Sequence, residues 1–281
     1  MDLINGEHAP AGDGVIAPPD DFYYASLYLP ATTRHTVRVL EAVRRAITDI
    51  PGNCSDRGVA HLKLAWWQTE LQQLANGAAR HPLGKALLAL SRAQPALPGI
   101  FDTLLEATID GLNQAPLADR AALLAWVDAQ HGALLGHYID MGAPVSDSER
   151  RAMRAIGGVL ELAYALRGLR QHRRATPLLL PETALRGARL SVDHVRGASS
   201  SQALAAVVLP ELDSLRADLL TRVAALPRST RRAQRLLVTL ALCAAEALAL
   251  TRADGGQVLE RRVELLPVRK LWLAWRVAHW G

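Results

Sequence analysis

From residue 32 onward, apolar side chains recur every three to four positions and polar ones fill the intervals, the period of amphipathic helices. In the first such stretch, residues 32–49, Val37, Leu40, Ala42, Val43 and Ile47 share a face, and Pro51-Gly52 closes it. Residues 59–76 form a second stretch that ends on the C-cap signal Asn76-Gly77. Residues 82–91 open on a proline, whose fixed φ suits a first helical position. Residues 97–112 and 119–141 follow, the latter capped by Asp119 and ended by Gly142 and Pro144. Ser146 or Asp147 is placed to cap a helix over 148–173, and 200–225, 230–254 and 266–280 complete the pattern. Only 175–199, punctuated by Pro177, Pro181, Gly187 and Gly197, predicts a long loop.

No strand alternation competes with this reading. Half of the 281 residues are hydrophobic but only 5% are aromatic, so Ala, Leu and Val must make the core, and Ala and Leu favour helices. No internal repeat or composition break marks a boundary. The expectation is one all-α domain of about ten helices over residues 21–281, after a tail at 1–20 that holds three Pro and three Gly. The tail has no apolar stretch of the kind a signal peptide needs. The apolar run at 236–251 is interrupted by Glu246 and falls short of the ~20 residues of a membrane span. Cys54 and Cys243 are far apart, which argues against a disulfide framework or a structural zinc site.

Charge adds a qualification. The net charge is +5, and the basic residues are nearly all arginine, with lysine only at 63, 85 and 270. The arginines are spread along the chain and no recognition module appears, so nucleic-acid binding is not expected. Arg167, Arg170, His172, Arg173 and Arg174, however, form a basic run without a carboxylate among them.

Three stretches together resemble the squalene/phytoene synthases. "DFYYASLYLPATTRHTVRVLEAVRRAITDI" (21–50) is similar to the family's opening, with its L-P-x-x-x-R turn and first Asp-rich helix. "AHLKLAWWQTELQQLANGAARHPLGKAL" (60–87) resembles its W-W-x-x-E-L segment followed by H-P. "LERRVELLPVRKLWLAWR" (259–276) is similar to its C-terminus. The resemblance implies the all-α isoprenoid synthase fold, helices around an apolar cavity that holds prenyl chains. It also implies head-to-head joining of two prenyl diphosphates, in which Mg²⁺ held by two Asp-rich helices neutralises the departing diphosphate.

The two acidic motifs are eroded. The first falls on residues 48–52, where only Asp49 remains acidic, Thr48 and Gly52 replace aspartates, and Pro51 would break the helix. Arg45, one turn earlier, matches a phosphate ligand, and Glu41 stands where an aromatic hydroxyl is expected. The second falls on "ELAYALRGLRQH" (161–172): Arg167 is kept, Gly168 and His172 replace both aspartates, Glu161 replaces a glutamine and Tyr164 an asparagine. The resemblance thus implies a diphosphate- or isoprenoid-binding set of Tyr24, Arg45, Asp49, Tyr164, Arg167 and His172, with Arg45 and Arg167 facing the cavity. No catalytic residue is assigned.

The expected function is a catalytically inactive relative that binds an isoprenoid or other lipid, or serves as an assembly or scaffold factor, with no cofactor. The alternative is an active prenyltransferase, with Mg²⁺ at Asp49. For the basic run two readings stand: an anion site in place of the metal, or a solvated helix C-terminus favoured by the macrodipole. Residues 269–281 carry three tryptophans and four cationic or titratable basic side chains, a mixture that suits a membrane interface or docking onto the domain. A protein partner is equally open. The expected location is cytoplasmic, with this segment peripheral on the inner membrane face. Trp66 and Trp67 beside Glu70 read as packing. His131, His137 and Asp140, at i, i+6 and i+9, do not match the i, i+4 metal spacing.

Overall fold

A computed structural model describes residues 16–173, 177–197 and 201–281. Among them are fifteen helices and no strand. In chain order they are α1 Asp21–Ser26, α2 Ala31–Thr48, α3 Ile50–Asn53, α4 Arg57–Ala75, α5 Pro82–Ser91, α6 Leu97–Gly111, α7 Arg120–Asp140 and α8 Asp147–Arg167. Then come α9 Leu169–His172, α10 Glu182–Gly187, α11 Val192–Gly197, α12 Gln202–Ala225, α13 Arg228–Ala233, α14 Arg235–Ala253 and α15 Pro267–Trp280.

Helix α8 is the hub. It packs on α7 along one side and on α12 and α14 along the other, while α2 lies against α5 and α6. One continuous apolar cluster runs from Ile16 to Val277. The local signals that start these helices act as expected. Asp119 accepts the Ala122 amide at the head of α7. Ser146, rather than Asp147, caps α8 in a reciprocal box with Glu149. His81 caps α5 through its ring, Pro82 takes the next position, and Gly77 ends the α4 connection at a φ of +73° that favours glycine. Glu70, 3% exposed, accepts the Arg80 and His81 amides at 2.8 Å each, and Trp67 and Trp66 set their edges against His81.

Several boundaries differ from the periodicity. The helix expected over 148–173 breaks at Gly168 into α8 and α9. The one expected over 230–254 breaks at Gln234, whose side-chain amide leaves its own helix to donate to the Ile139 and Ala143 carbonyls. Within the expected loop, α10 and α11 form two short helices. The run read as too short for a membrane span lies in α14, which is 19 residues long and apolar enough by length and composition to cross one; yet 67% of its most apolar window is buried in the protein. It is a core helix. Finally, the part of the expected tail that is described is tied down: Ile16 is fully buried, and Asp20 caps α1 by accepting the Phe22 amide.

Candidate functional site

The helices enclose a cavity of about 760 Å³. One wall is α2, through Glu41, Arg44, Arg45 and Asp49; the facing walls are α7, with His131 and Tyr138, and α8, with Glu161 and Tyr164. Residues 17–22 and the stretch 177–179 close the sides. Gly157 and Gly158 bring α8 close to α7: a Cβ on Gly157 would stand 2.2 Å from a Leu135 methyl, so any larger residue there would force the Leu135 side chain to move.

At the polar end of the cavity, α2 places Glu41, Arg44 and Arg45 at i, i+3 and i+4, the spacing that puts side chains on one helix face. Arg44 clasps Glu41 with two bonds, Nε to Oε2 at 2.8 Å and Nη2 to Oε1 at 2.7 Å, and Arg45 Nε adds a third to Oε1 at 2.6 Å. The other end of Arg45 grips Asp20 at 2.5 and 3.2 Å. Arg44 also approaches Glu161 at 3.7 Å, and the Tyr138 hydroxyl reaches Glu41 at 3.5 Å. Burial alone would raise the Glu41 pKa, but the two guanidiniums outweigh it and hold the carboxyl down to about 2. Burial pushes the Tyr138 and Tyr164 phenols well above their ordinary value.

His131 lies deeper. It is 9% exposed, and its Nδ1 has no hydrogen-bond partner. Burial is the largest influence and lowers its pKa to about 4; Arg44 pushes the same way, and Glu161 and Glu41 offset part of the shift. The sign follows directly. An unfolded imidazole takes a proton below about 6.5, whereas this one stays neutral down to about 4. Stability is therefore lost as pH falls from about 6.5 to about 4, by on the order of 3 kcal/mol. Urea unfolding between pH 7 and 4 should show this slope, and His131→Gln should flatten it; an unchanged slope would refute the assignment.

The resemblance-derived set does not assemble as one site. Arg45, Asp49 and Tyr164 line the cavity. Tyr24 is buried against Tyr23, ring edge to face at 5.2 Å, and is not among the lining residues. Arg167, expected to face the cavity, does not: its side chain is fully buried between Asp21 at 3.5 Å and Glu264 at 3.4 Å, and donates to the Val263 carbonyl at 3.0 Å. The reason is the local charge balance. Asp21 also pairs with Lys270 at 2.6 Å, and Lys270 with Glu264 at 3.3 Å, so two acids and two bases form a closed cluster. Arg170 likewise holds the Glu260 carbonyl at 2.5 Å, which ties α9 to the segment before α15. The basic run is thus drawn inward at 167 and across at 170. The side chain of His172 and all of Arg174 lie outside the described residues.

A divalent ion of the kind the resemblance implies needs several uncommitted carboxylate oxygens. Asp20 and Glu41 already give theirs to arginines, and among the described residues no group of three or more His, Cys, Asp or Glu side chains could hold a metal. These residues do not fit the ion. His137 turns to Gln94 and Asp140 to Arg150, so neither joins His131. Sequence reasoning missed Asp20, Arg44 and Tyr138 and weighed His131 only as a metal ligand; the Glu41-Arg44-Arg45 spacing was the one available signal for the cluster.

The family model for squalene/phytoene synthase matches residues 19–269. A search of curated protein sequences returns no match. Among solved structures, the chain is similar to squalene synthase HpnC from Alicyclobacillus acidocaldarius, with a TM-score of 0.62 and 18% identity over 84% of this chain and 89% of that one. It is similar to a dehydrosqualene synthase in complex with ligand, with a TM-score of 0.71 and 15% identity over 92% and 91%. YisP from Bacillus subtilis subsp. subtilis strain 168 gives a TM-score of 0.58 and 13% identity over 90% and 89%.

Proposed function

The chain belongs to the squalene/phytoene synthase family, and from that premise we propose that this member holds an isoprenoid-type lipid without performing the family's head-to-head condensation. The observation that carries the proposal is the closed network of Asp20, Arg45, Glu41 and Arg44 on the α2 wall. A departing diphosphate must be neutralised as it leaves. Here the two carboxylates of that wall beside Arg45, Asp20 and Glu41, are bonded to guanidiniums, and the guanidiniums that could take the place of the ion, Arg44 and Arg45, are bonded to carboxylates. Losing one preorganised stabilising group typically costs about 10²–10³ in rate, and here a whole constellation is lacking.

The volume, about 760 Å³, lies within the range of small-molecule sites. Arg45, Asp49 and Tyr164 are the resemblance-derived residues that would touch a ligand there. The competing reading, an active prenyltransferase, draws support from Asp49 lining the same cavity as Arg45. The two are separated by incubating the protein with farnesyl or geranylgeranyl diphosphate, with and without Mg²⁺ and a reductant. No diphosphate release above the protein-free control is expected. Magnesium-dependent release that disappears in Asp49→Asn would reverse the reading.

A cytoplasmic, peripheral protein is part of the proposal. Helix α15 presents Trp272, Trp275 and Trp280 partly exposed, with Arg269 and Arg276 over the Trp272 ring at 4.3 and 4.7 Å. Aromatic and guanidinium groups mixed in this way support contact with an anionic membrane surface. If the cavity took no lipid, an assembly or scaffold role would remain.

A further inference from the structure

Charge at the cavity wall says what kind of isoprenoid it can accept. Seven carboxylates and only three guanidiniums line it. The cations standing just behind the wall are also committed: Arg167 and Lys270 to Asp21 and Glu264, Arg154 to Asp128. No surplus positive charge is left for a diphosphate, and a multiply charged anion entering this space would meet net repulsion in a partly desolvated setting. The two arginines best placed to bind phosphate oxygens, Arg44 and Arg45, already direct their Nε and terminal nitrogens at Glu41 and Asp20.

Among the described wall residues, the buried Asp21 oxygens lack hydrogen bonds but are ion-paired with Lys270 and Arg167, whereas one buried polar atom has neither kind of partner. His131 Nδ1 is buried and without a partner, on a residue that lines the cavity. A buried polar atom left unpaired is unfavourable, and such atoms in native proteins usually meet a ligand or water. The ring is held neutral, so Nδ1 either donates or accepts according to tautomer. A hydroxyl serves both cases, since it donates and accepts; a carbonyl oxygen or an ether serves only one.

Resting on the isoprenoid-holding function proposed above, we infer that the ligand is an uncharged prenyl alcohol, its hydroxyl bonded to His131 Nδ1 and its chain against the apolar wall, rather than a prenyl diphosphate.

Binding is read from the protein's tryptophan emission, since Trp126 lines the cavity, and by calorimetry, with three probes of one chain length: farnesol, farnesyl diphosphate and farnesene. Farnesol is expected to bind at least about tenfold more tightly than the diphosphate, with no response to Mg²⁺. It should also exceed farnesene by about five- to tenfold, the effect of one well-placed hydrogen bond. His131→Leu should remove the advantage of farnesol over farnesene. If that variant fails to fold, the wild-type comparison of farnesol with farnesene decides alone. Equal affinities for those two, or a diphosphate that binds as tightly as the alcohol, would overturn this inference while leaving the lipid-holding function standing. Failure of all three probes to bind would overturn both.

Discussion

Replacing Arg167 with methionine is expected to destabilise the fold by about 3–5 kcal/mol, the usual consequence of removing one partner from a buried ion pair. The side chain is 0% exposed and sits beside Asp21, itself 7% exposed. Methionine fills a similar volume but leaves Asp21 with Lys270 alone and the Val263 carbonyl without its donor. Urea unfolding of the variant should show a lower midpoint with little change in slope. The alternative assignment, Arg167 as a phosphate ligand, predicts the reverse: near-normal stability and weakened anion binding. A variant as stable as the parent would remove Arg167 from the structural role argued here.

The second large effect is expected at Glu41. In Glu41→Gln, Arg44 and Arg45 lose the carboxylate that lies between them and face each other across a neutral amide. The two arginine side chains keep 15% and 27% exposure, so solvent screens part of the cost; about 2–3 kcal/mol is expected at neutral pH. The pH dependence identifies the cause. The Glu41 carboxyl is held at about 2 against an ordinary 4.5, so its contribution is complete above about 4.5 and is lost as pH falls toward 2. Parent and variant should therefore converge in stability across that window. Freed from Glu41, the arginines should also give the cavity a measurable affinity for farnesyl diphosphate. A constant stability difference down to pH 2 would show that packing, not charge, holds Glu41 in place.

Much of the architecture was legible because helix formation is governed by neighbours in sequence. Asp119, the Ser146–Glu149 box and the Pro82 start all act within four residues of themselves, and each is found at its helix end. The misread boundaries have causes that lie far away along the chain. Gln234 ends α13 because it bonds carbonyls more than 90 residues distant, at 139 and 143. The same holds for charge. Arg167 looked uncompensated because its partners, Asp21 and Glu264, lie about a hundred residues or more to either side. The eroded acidic motifs could be read from residue types alone. The arginine network that occupies their place could be read only in part, since Glu41, Arg44 and Arg45 share one turn whereas Asp20 sits in what looked like a tail.

Lys270 has a geometric consequence of its own. From α15 near the C-terminus its ammonium donates to the Pro19 carbonyl at 2.6 Å and pairs with Asp21 on the adjoining residues. Pro19, Asp20 and Asp21 are themselves cavity wall. The two ends of the domain are therefore pinned to each other by one side chain, and the pin sits between the Trp-bearing surface and the chamber. Arg269 and Trp272 lie one and two residues from Lys270, so the outer Trp-bearing face and the strap that closes the chamber's side share one turn of α15.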